Sequence, residues 1–349
     1  MRIQLTKLQR WRRSFEKAHD ECASNHLSAK PPDRDLPTDQ WSEWLLHRRH
    51  GGDPEYGRLV DQQVNRMRDR VLDGAGPLSG KVLVDVGVGD GLIVFGAFER
   101  AGPSLQAVLV DPSEALLSCA KQRSVELGVR ESCTFVQASA ERLVGISDDS
   151  ADVLTTRSVL VYVPDKAAAA REFFRVLKPG GRLSMAEPIY RDEAVHLAAF
   201  INLLKTQPDH NFPAPIRHLQ RCRAAQIPST LEEIQSSPLT SFSERDFIVL
   251  FQQAGFIEIH LELHIDIHKD NAMAWDTFID IAPRPGAPTL REVFPVLLNG
   301  AEQLELENGI RPMVEGGLLT TRSTMAYLTA AKPQPKVSSM PGKPAAMGS

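Results

Sequence analysis

The stretch VLVDVGVGDG, Val82 to Gly91, is an apolar run that ends in three glycines at alternate positions and passes at once into LIVFGAFER. A short run of β-branched and aliphatic residues bounded by a turn reads as a buried strand, and the segment after it as a helix. Glycines at 87, 89 and 91 suit a backbone that turns sharply and approaches a ligand with no Cβ in the way. A strand, a glycine loop and a helix in that order make a nucleotide-type site. Two features separate it from the dinucleotide fingerprint. The third glycine of that fingerprint would fall at position 92, which is Leu92. Asp85, inside the strand, would also repel a pyrophosphate rather than hold one. An NAD-dependent oxidoreductase is therefore the weaker alternative.

Outward from this segment, strands and helices alternate at short intervals, the pattern of a parallel sheet covered on both faces. AVLVD (Ala107 to Asp111), CTFVQAS (Cys133 to Ser139) and ADVLTTR (Ala151 to Arg157) are the next strands. The helix KAAAAREFFRVL and the turn KPGG (Lys178 to Gly181) lead into a fifth strand, RLSMAE. The alternation then stops: Ile189 to Ser243 is broken by Pro208, Pro213, Pro215, Pro228 and Pro238, too long a stretch for an ordinary connection. It reads as a cap that brings Leu197, Phe200, Ile201, Leu203, Leu204, Phe212 and Ile216 to the mouth of a pocket. A helix starting at Ser243 and ending at Gly255 returns the chain to the sheet. In FIEIHLELHIDIH, residues 256–268, six aliphatic residues alternate with six polar ones, a half-buried strand suited to a sheet edge. A second helical stretch, Asn271 to Gly317, precedes a last strand in STMAYLTAAKP.

The domain division expected is thus 1–75 as an N-terminal helical extension that roofs the pocket, with Trp44, Arg49 and Tyr56 in the roof, 76–188 as the ligand-binding core and 189–243 as the cap. Residues 244–332 complete the core with a second helical insertion, and 333–349 form a disordered tail. Arg2, Lys7, Arg10, Arg12, Arg13 and Lys17 with Leu8, Trp11 and Phe15 outline a basic amphipathic helix that could join two copies in a homodimer. Lys+Arg 40 against Asp+Glu 44 gives a net charge of -4, with no footprint for nucleic acid or an anionic membrane. The 4 cysteines are scattered and no apolar run approaches a membrane span, so the cytoplasm is expected. His264, Asp266 and His268 share one strand face but read as a solvated edge, and no metal is expected.

The loop Asp85-Val-Gly87-Val-Gly89-Asp-Gly91 and the later R-V-L-K-P-G-G (Arg175 to Gly181) together resemble the class I S-adenosylmethionine-dependent methyltransferases of the small-molecule type. The likeness reaches the quinone-biosynthesis and arsenite enzymes, although the arsenite enzymes carry a cysteine where this chain has Ser158 and Val159. The resemblance implies a Rossmann-like seven-stranded α/β sheet with helices on both faces, and S-adenosylmethionine as cofactor. It implies that Asp85, Gly87, Gly89 and Gly91 form the cofactor loop and that Asp111, followed by Pro112, accepts the ribose hydroxyls. Ala140 and Glu141 fall beside the adenine, and Arg157 and Ser158 near the transferable methyl. Glu187, ending the fifth strand, and Tyr162 are the candidate catalytic residues, as base or substrate anchor. The expected reaction moves the methyl to a C, O, N or S atom of a small molecule in a capped pocket. A non-catalytic protein that keeps the fold for cofactor binding or assembly is the other alternative.

Overall fold

The computed structural model describes Phe15, residues 38–207 and residues 212–335. The basic N-terminal helix, apart from Phe15, lies outside the described residues, as do the linker Lys30 to Pro37, Pro208, His210 and the tail from 336. Two short helical pieces open the described chain, α1 (Gln40–Glu43) and a π-helical turn (Trp44–Arg48), before α2 (Pro54–Ala75). Asp53 caps α2 by accepting from the N–H groups of Glu55 and Tyr56, and Pro54 supplies the fixed φ of a first helical residue.

The sheet has seven strands in the order β3-β2-β1-β4-β5-β7-β6. They are β1 (Val82–Val86), β2 (Gln106–Asp111), β3 (Cys133–Gln137), β4 (Ala151–Arg157), β5 (Leu177–Pro188), β6 (Ile257–Lys269) and β7 (Thr320–Ala331). Strands β1 to β5 are parallel, and β7 enters antiparallel between β5 and β6. The fifth strand is longer than its sequence suggested. Leu177 already pairs with Ala151, and Lys178 to Gly181 bulge out before pairing resumes at Arg182 with Val153.

α3 (Leu92–Ala101) and α4 (Glu114–Glu126) join α2 on one face of the sheet, burying Leu72, Phe95, Phe98 and Leu109 in one cluster that includes Phe15. α5 (Lys166–Val176) and α9 (Glu244–Ala254) cover the other face, where Phe173, Phe247, Phe251 and Leu154 meet. α9 is capped as its sequence indicates, with a box between Ser243 and Asp246 and a left-handed Gly255 at its end. Between β5 and β6, ahead of α9, run α6 (Arg191–Thr206), α7 (Ala214–Arg223) and α8 (Leu231–Ser236). Between β6 and β7 run α10 (Trp275–Asp280), α11 (Leu290–Leu297) and α12 (Gly300–Glu315). α7 packs with α10, α11 and α12 around Leu219, Trp275, Phe294 and Leu306, so the two insertions share one helical core of their own.

The R-V-L-K-P-G-G segment is structural. Arg175 donates to the Ile146 carbonyl (2.8 Å) and to Asp148 (2.7 Å), and Lys178 reaches Asp152 (2.8 Å). Asp152 in turn accepts from the Val82 N–H at 2.9 Å, so these charges fasten the loops at the far end of the sheet from the glycines.

Candidate active site

A cavity of about 460 Å³ opens at the carboxyl ends of β1, β2, β4 and β5, where ligands bind in open α/β sheets. Its floor is the glycine loop. Gly87 has φ +71°, and a Cβ there would lie 2.1 Å from Val159 Cγ2, so the loops after β1 and β4 touch only because residue 87 is glycine. The N–H groups of Gly87 and Val88 both donate to the Val110 carbonyl, at 2.8 and 2.9 Å. Gly89 donates to Asp111 Oδ2 at 2.9 Å. Gly91, at φ +87°, packs against the Phe95 ring and is not part of the wall.

Asp111 sits in the wall. Its other oxygen accepts from the Ser113 N–H at 2.9 Å, and burial pushes its carboxyl up to about 6. Each oxygen takes one backbone donor, which leaves acceptor capacity for two hydroxyls, the donor set of a ribose edge. Pro112, Leu116, Ala138, Ser139, Ala140 and Glu141 continue the wall on that side. Glu141 Oε1 also accepts from the Asp165 N–H at 2.9 Å, so its side chain ties the wall to the start of α5.

Asp85 lies beneath the loop and outside the wall. It accepts from the Thr155 hydroxyl at 2.7 Å, its second oxygen has no partner, and burial pushes it up to about 7. The expected direct cofactor contact at Asp85 is therefore replaced by a tie between β1 and β4 under the glycines.

Arg157 and Ser158 line the cavity at the end of β4. Ser158 holds φ +56°, a left-handed conformation that costs a non-glycine residue about 1 kcal/mol or more. Its N–H donates to the Ala186 carbonyl at 2.9 Å. The 3₁₀ turn that follows, Leu160–Tyr162, hangs on Glu187. One Glu187 oxygen accepts from Val159 (2.9 Å) and Leu160 (3.1 Å), the other from Val161 (3.1 Å). The side chain is fully buried and outside the cavity wall, and burial pushes it up to about 7 against the pull of those three donors. The expectation of a base or substrate anchor at Glu187 is corrected accordingly: the side chain turns back under the loop because three N–H groups with no strand partner need an acceptor there.

Tyr162 does line the cavity. Its ring meets Trp41 edge-on at 5.1 Å, and its hydroxyl bonds that of Tyr190. Burial holds its phenol well above the ordinary value of 10, so it stays protonated and donates to the Tyr190 hydroxyl.

The roof expected of the N-terminal helices takes its particular residues from the tertiary structure. Trp41, Trp44, Leu45, Val64 and Met67 close the cavity from the N-terminal helices. The indole N–H of Trp44 donates to the Ala282 carbonyl at 2.9 Å, and the Arg49 guanidinium lies 5.7 Å over its ring. Of the described residues between 189 and 243 only Tyr190 reaches the wall, joined by Pro285 and Met325 from later in the chain. Five of the apolar residues expected at the mouth pack elsewhere: Leu197 and Ile201 around Ile234, Ile216 in the helical core, and Phe200 against Phe212. His196 is exposed on α6. Cys119, Cys133 and Cys222 are buried, with thiols pushed up to about 11, 12 and 11.

A glycine cradle, a buried acid at the end of β2 and a roofed cavity at the switch between β1 and β4 define a nucleotide-type ligand site on a mixed seven-stranded sheet. Residues 77–237 match the family model described as a methyltransferase domain. The ubiquinone biosynthesis O-methyltransferase of Ralstonia nicotianae is 30% identical over 205 residues, 56% of this chain and 83% of that one. A ubiquinone/menaquinone biosynthesis C-methyltransferase of Pseudomonas putida is 32% identical over 158 residues, 44% of this chain and 61% of that one. Among solved structures, the YcgJ protein of Bacillus aligns with a TM-score of 0.49 at 18% identity, over 77% of this chain and 99% of that one.

The chain belongs to the class I S-adenosylmethionine-dependent methyltransferases. It is an enzyme whose cofactor is S-adenosylmethionine, which sets aside the NAD-dependent and non-catalytic alternatives. No helix among the described residues is long and apolar enough to cross a membrane.

Proposed function

We propose that the chain transfers the cofactor's methyl group to a compact, largely apolar small molecule held in the roofed cavity, with an aromatic acceptor as the first class to test. The observation that carries this reading is the roof: Trp41, Trp44, Tyr162 and Tyr190 surround the space with aromatic surface, and Val159, Pro164, Pro188 and Met325 add apolar walls. Relatives named for ubiquinone biosynthesis support an acceptor of that shape. Asp111 would take the ribose hydroxyls, Gly87 and Gly89 the amino-acid end, and Pro112, Ala140 and Glu141 the adenine side. Arg157 and Ser158 would flank the reacting methyl. The bound cofactor supplies a methyl already activated by its sulfonium.

Under that chemistry the protein contributes position more than proton transfer. Tyr162, kept protonated by burial with its proton given to Tyr190, orients the acceptor by its ring and by the lone pairs of its hydroxyl oxygen. Glu187 fixes the turn that carries Val159 and Tyr162. Tyr190 and Pro285 bring the two helical insertions to the edge of the cavity, so these insertions act as its outer shell rather than as a cap with its own apolar mouth.

Calorimetric titration with S-adenosylhomocysteine and with NAD, followed by transfer of labelled methyl to a panel of phenols, quinols, amines and thiols, tests this. Binding of S-adenosylhomocysteine with label in an aromatic acceptor is the expected result. Label found only in protein or nucleic acid would overturn the small-molecule reading.

A further inference from the structure

Strand β6 is the terminal strand of the sheet, so one of its two edges has no partner strand among the described residues. At 13 residues it is long for an edge, about 40 Å at roughly 3.3 Å per residue. After a bulge between Ile257 and His260, with Glu258 at positive φ, it pairs regularly from His260 onward. Ile259 and Leu261 pack on the core formed by Phe247, Phe251 and Phe256, beside α9. Leu263, Ile265 and Ile267 continue the same face uncovered, 38%, 47% and 69% exposed. A long edge with an uncovered apolar face is one that proteins ordinarily blunt or fill.

The charges on this strand do not blunt it. Along the other face the order is Glu258, His260, Glu262, His264, Asp266, His268, an acid and an imidazole in strict alternation. Consider a second copy laid antiparallel against the free edge with a two-fold axis at Leu263, so that residues equidistant from Leu263 face each other. Glu262 then stands opposite the second copy's His264, and His260 opposite its Asp266, each pair occurring twice. On the apolar face Leu261 meets Ile265 and Ile259 meets Ile267. The exposed half of each strand thus lies beside the half that the other copy's α9 borders, and α9 itself presents Val249 at 52% exposure. Moving the axis one residue, to Glu262 or His264, destroys the match. His260 then faces His264, or Glu262 faces Asp266. Moving it two residues keeps unlike pairs but shortens the matched run. Within each copy Arg70 of α2 reaches Glu262 (3.4 Å) and His264 (2.9 Å), and Glu262 lies beside His264 (3.1 Å) and His260 (3.3 Å) of its own strand.

We infer that β6 is a homodimer interface, joining two sheets edge to edge through an antiparallel β6–β6 pair centred on Leu263. A two-fold contact needs a self-complementary surface, and of the registers open to this strand the Leu263 register is the longest that pairs every acid with an imidazole.

Sedimentation velocity of the full chain across a concentration series, with S-adenosylhomocysteine binding as the check on folding, tests the interface. His264→Glu places acids opposite acids twice and is expected to raise the dimer dissociation constant about tenfold or more. The swap Glu262→His with His264→Glu restores the unlike pairs, keeps an acid beside Arg70, and is expected to recover the wild-type dimer. Leu263→Cys should give a disulfide-linked dimer on mild oxidation, because residue 263 faces its own copy at about 4.5–5.5 Å between Cβ atoms. Ile267→Cys, whose opposite is Ile259, should not exceed the wild-type background. A monomer at every concentration overturns the inference, and so does a dimer that His264→Glu leaves unchanged or that Leu263→Cys fails to cross-link.

Discussion

Glu187→Gln keeps the shape of the side chain under the Val159–Val161 turn and removes its titration. In the folded protein burial raises the carboxyl from 4.5 to about 7. That difference, roughly 2.5 pH units, corresponds to about 3 kcal/mol at ~1.36 kcal/mol per unit. The folded form binds more protons than the unfolded form between these values. Its contribution to stability is therefore fully present below 4.5 and is lost as pH rises through about 7. The Gln variant has no such dependence at this site. Asp85 and Asp111, also raised by burial, shift both proteins alike and cancel in the difference. The gap in stability between wild type and variant should therefore contract by about 3 kcal/mol between pH 4.5 and 8. At roughly 2 °C per kcal/mol for a chain of this size, that is about 6 °C in Tm. Thermal unfolding of both proteins across this pH range reads it directly. Methyl transfer at pH 8 should show KM values for cofactor and acceptor rising as the turn loosens, with kcat reduced less than about 100-fold. Parallel Tm profiles, together with a kcat loss of about 10³-fold or more at unchanged KM, would refute the positioning role and restore a general base at Glu187.

Three further perturbations probe the cavity. Asp111→Asn should weaken S-adenosylhomocysteine binding about 100-fold by calorimetry, from two charge-assisted hydrogen bonds at ~1.5 kcal/mol each, and unchanged affinity with an intact fold would misplace the ribose. Gly87→Ala should lower Tm by several degrees more than Gly145→Ala: both glycines have positive φ, but a Cβ at 87 strikes Val159 whereas one at 145 meets open space. Equal losses would remove the loop-to-loop contact from the explanation. Tyr162→Phe should retain turnover within about tenfold and leave the pH profile of kcat unaltered between pH 7 and 9, because the phenol stays protonated throughout. The disappearance of an ionisation in that range would mark Tyr162 as a base.

The parallel core could be read from the chain because its signals are local. VLVDVGVGDG carries both the strand and the turn, and each glycine with positive φ declares itself by having no side chain. That Asp111, Pro112, Ala140, Arg157 and Ser158 line one cavity could be anticipated for the same reason: in an open α/β sheet the ligand side is the carboxyl end of the strands, and sequence alone says where each strand stops. β6 was equally plain, since its alternation of period two is a property of consecutive residues. Glu187 was misread because a residue at a strand end can point out to a ligand or back under the next loop. The choice fell to three N–H groups of residues 159–161, which lie 26–28 positions away.

What the sequence by itself determined is the order of strands and helices, the glycine cradle and the acid that follows β2, each set by backbone conformation and short-range periodicity. The N-terminal helices were expected over the site, but only the tertiary structure decided which side chains line it. The aromatic roof joins Trp41 and Trp44 to Tyr162, Tyr190, Pro285 and Met325, residues brought together from across the chain by the packing of two helical insertions. No local pattern records which apolar side chains will bury against one another and which will face a cavity, because both uses satisfy the same hydrophobic requirement.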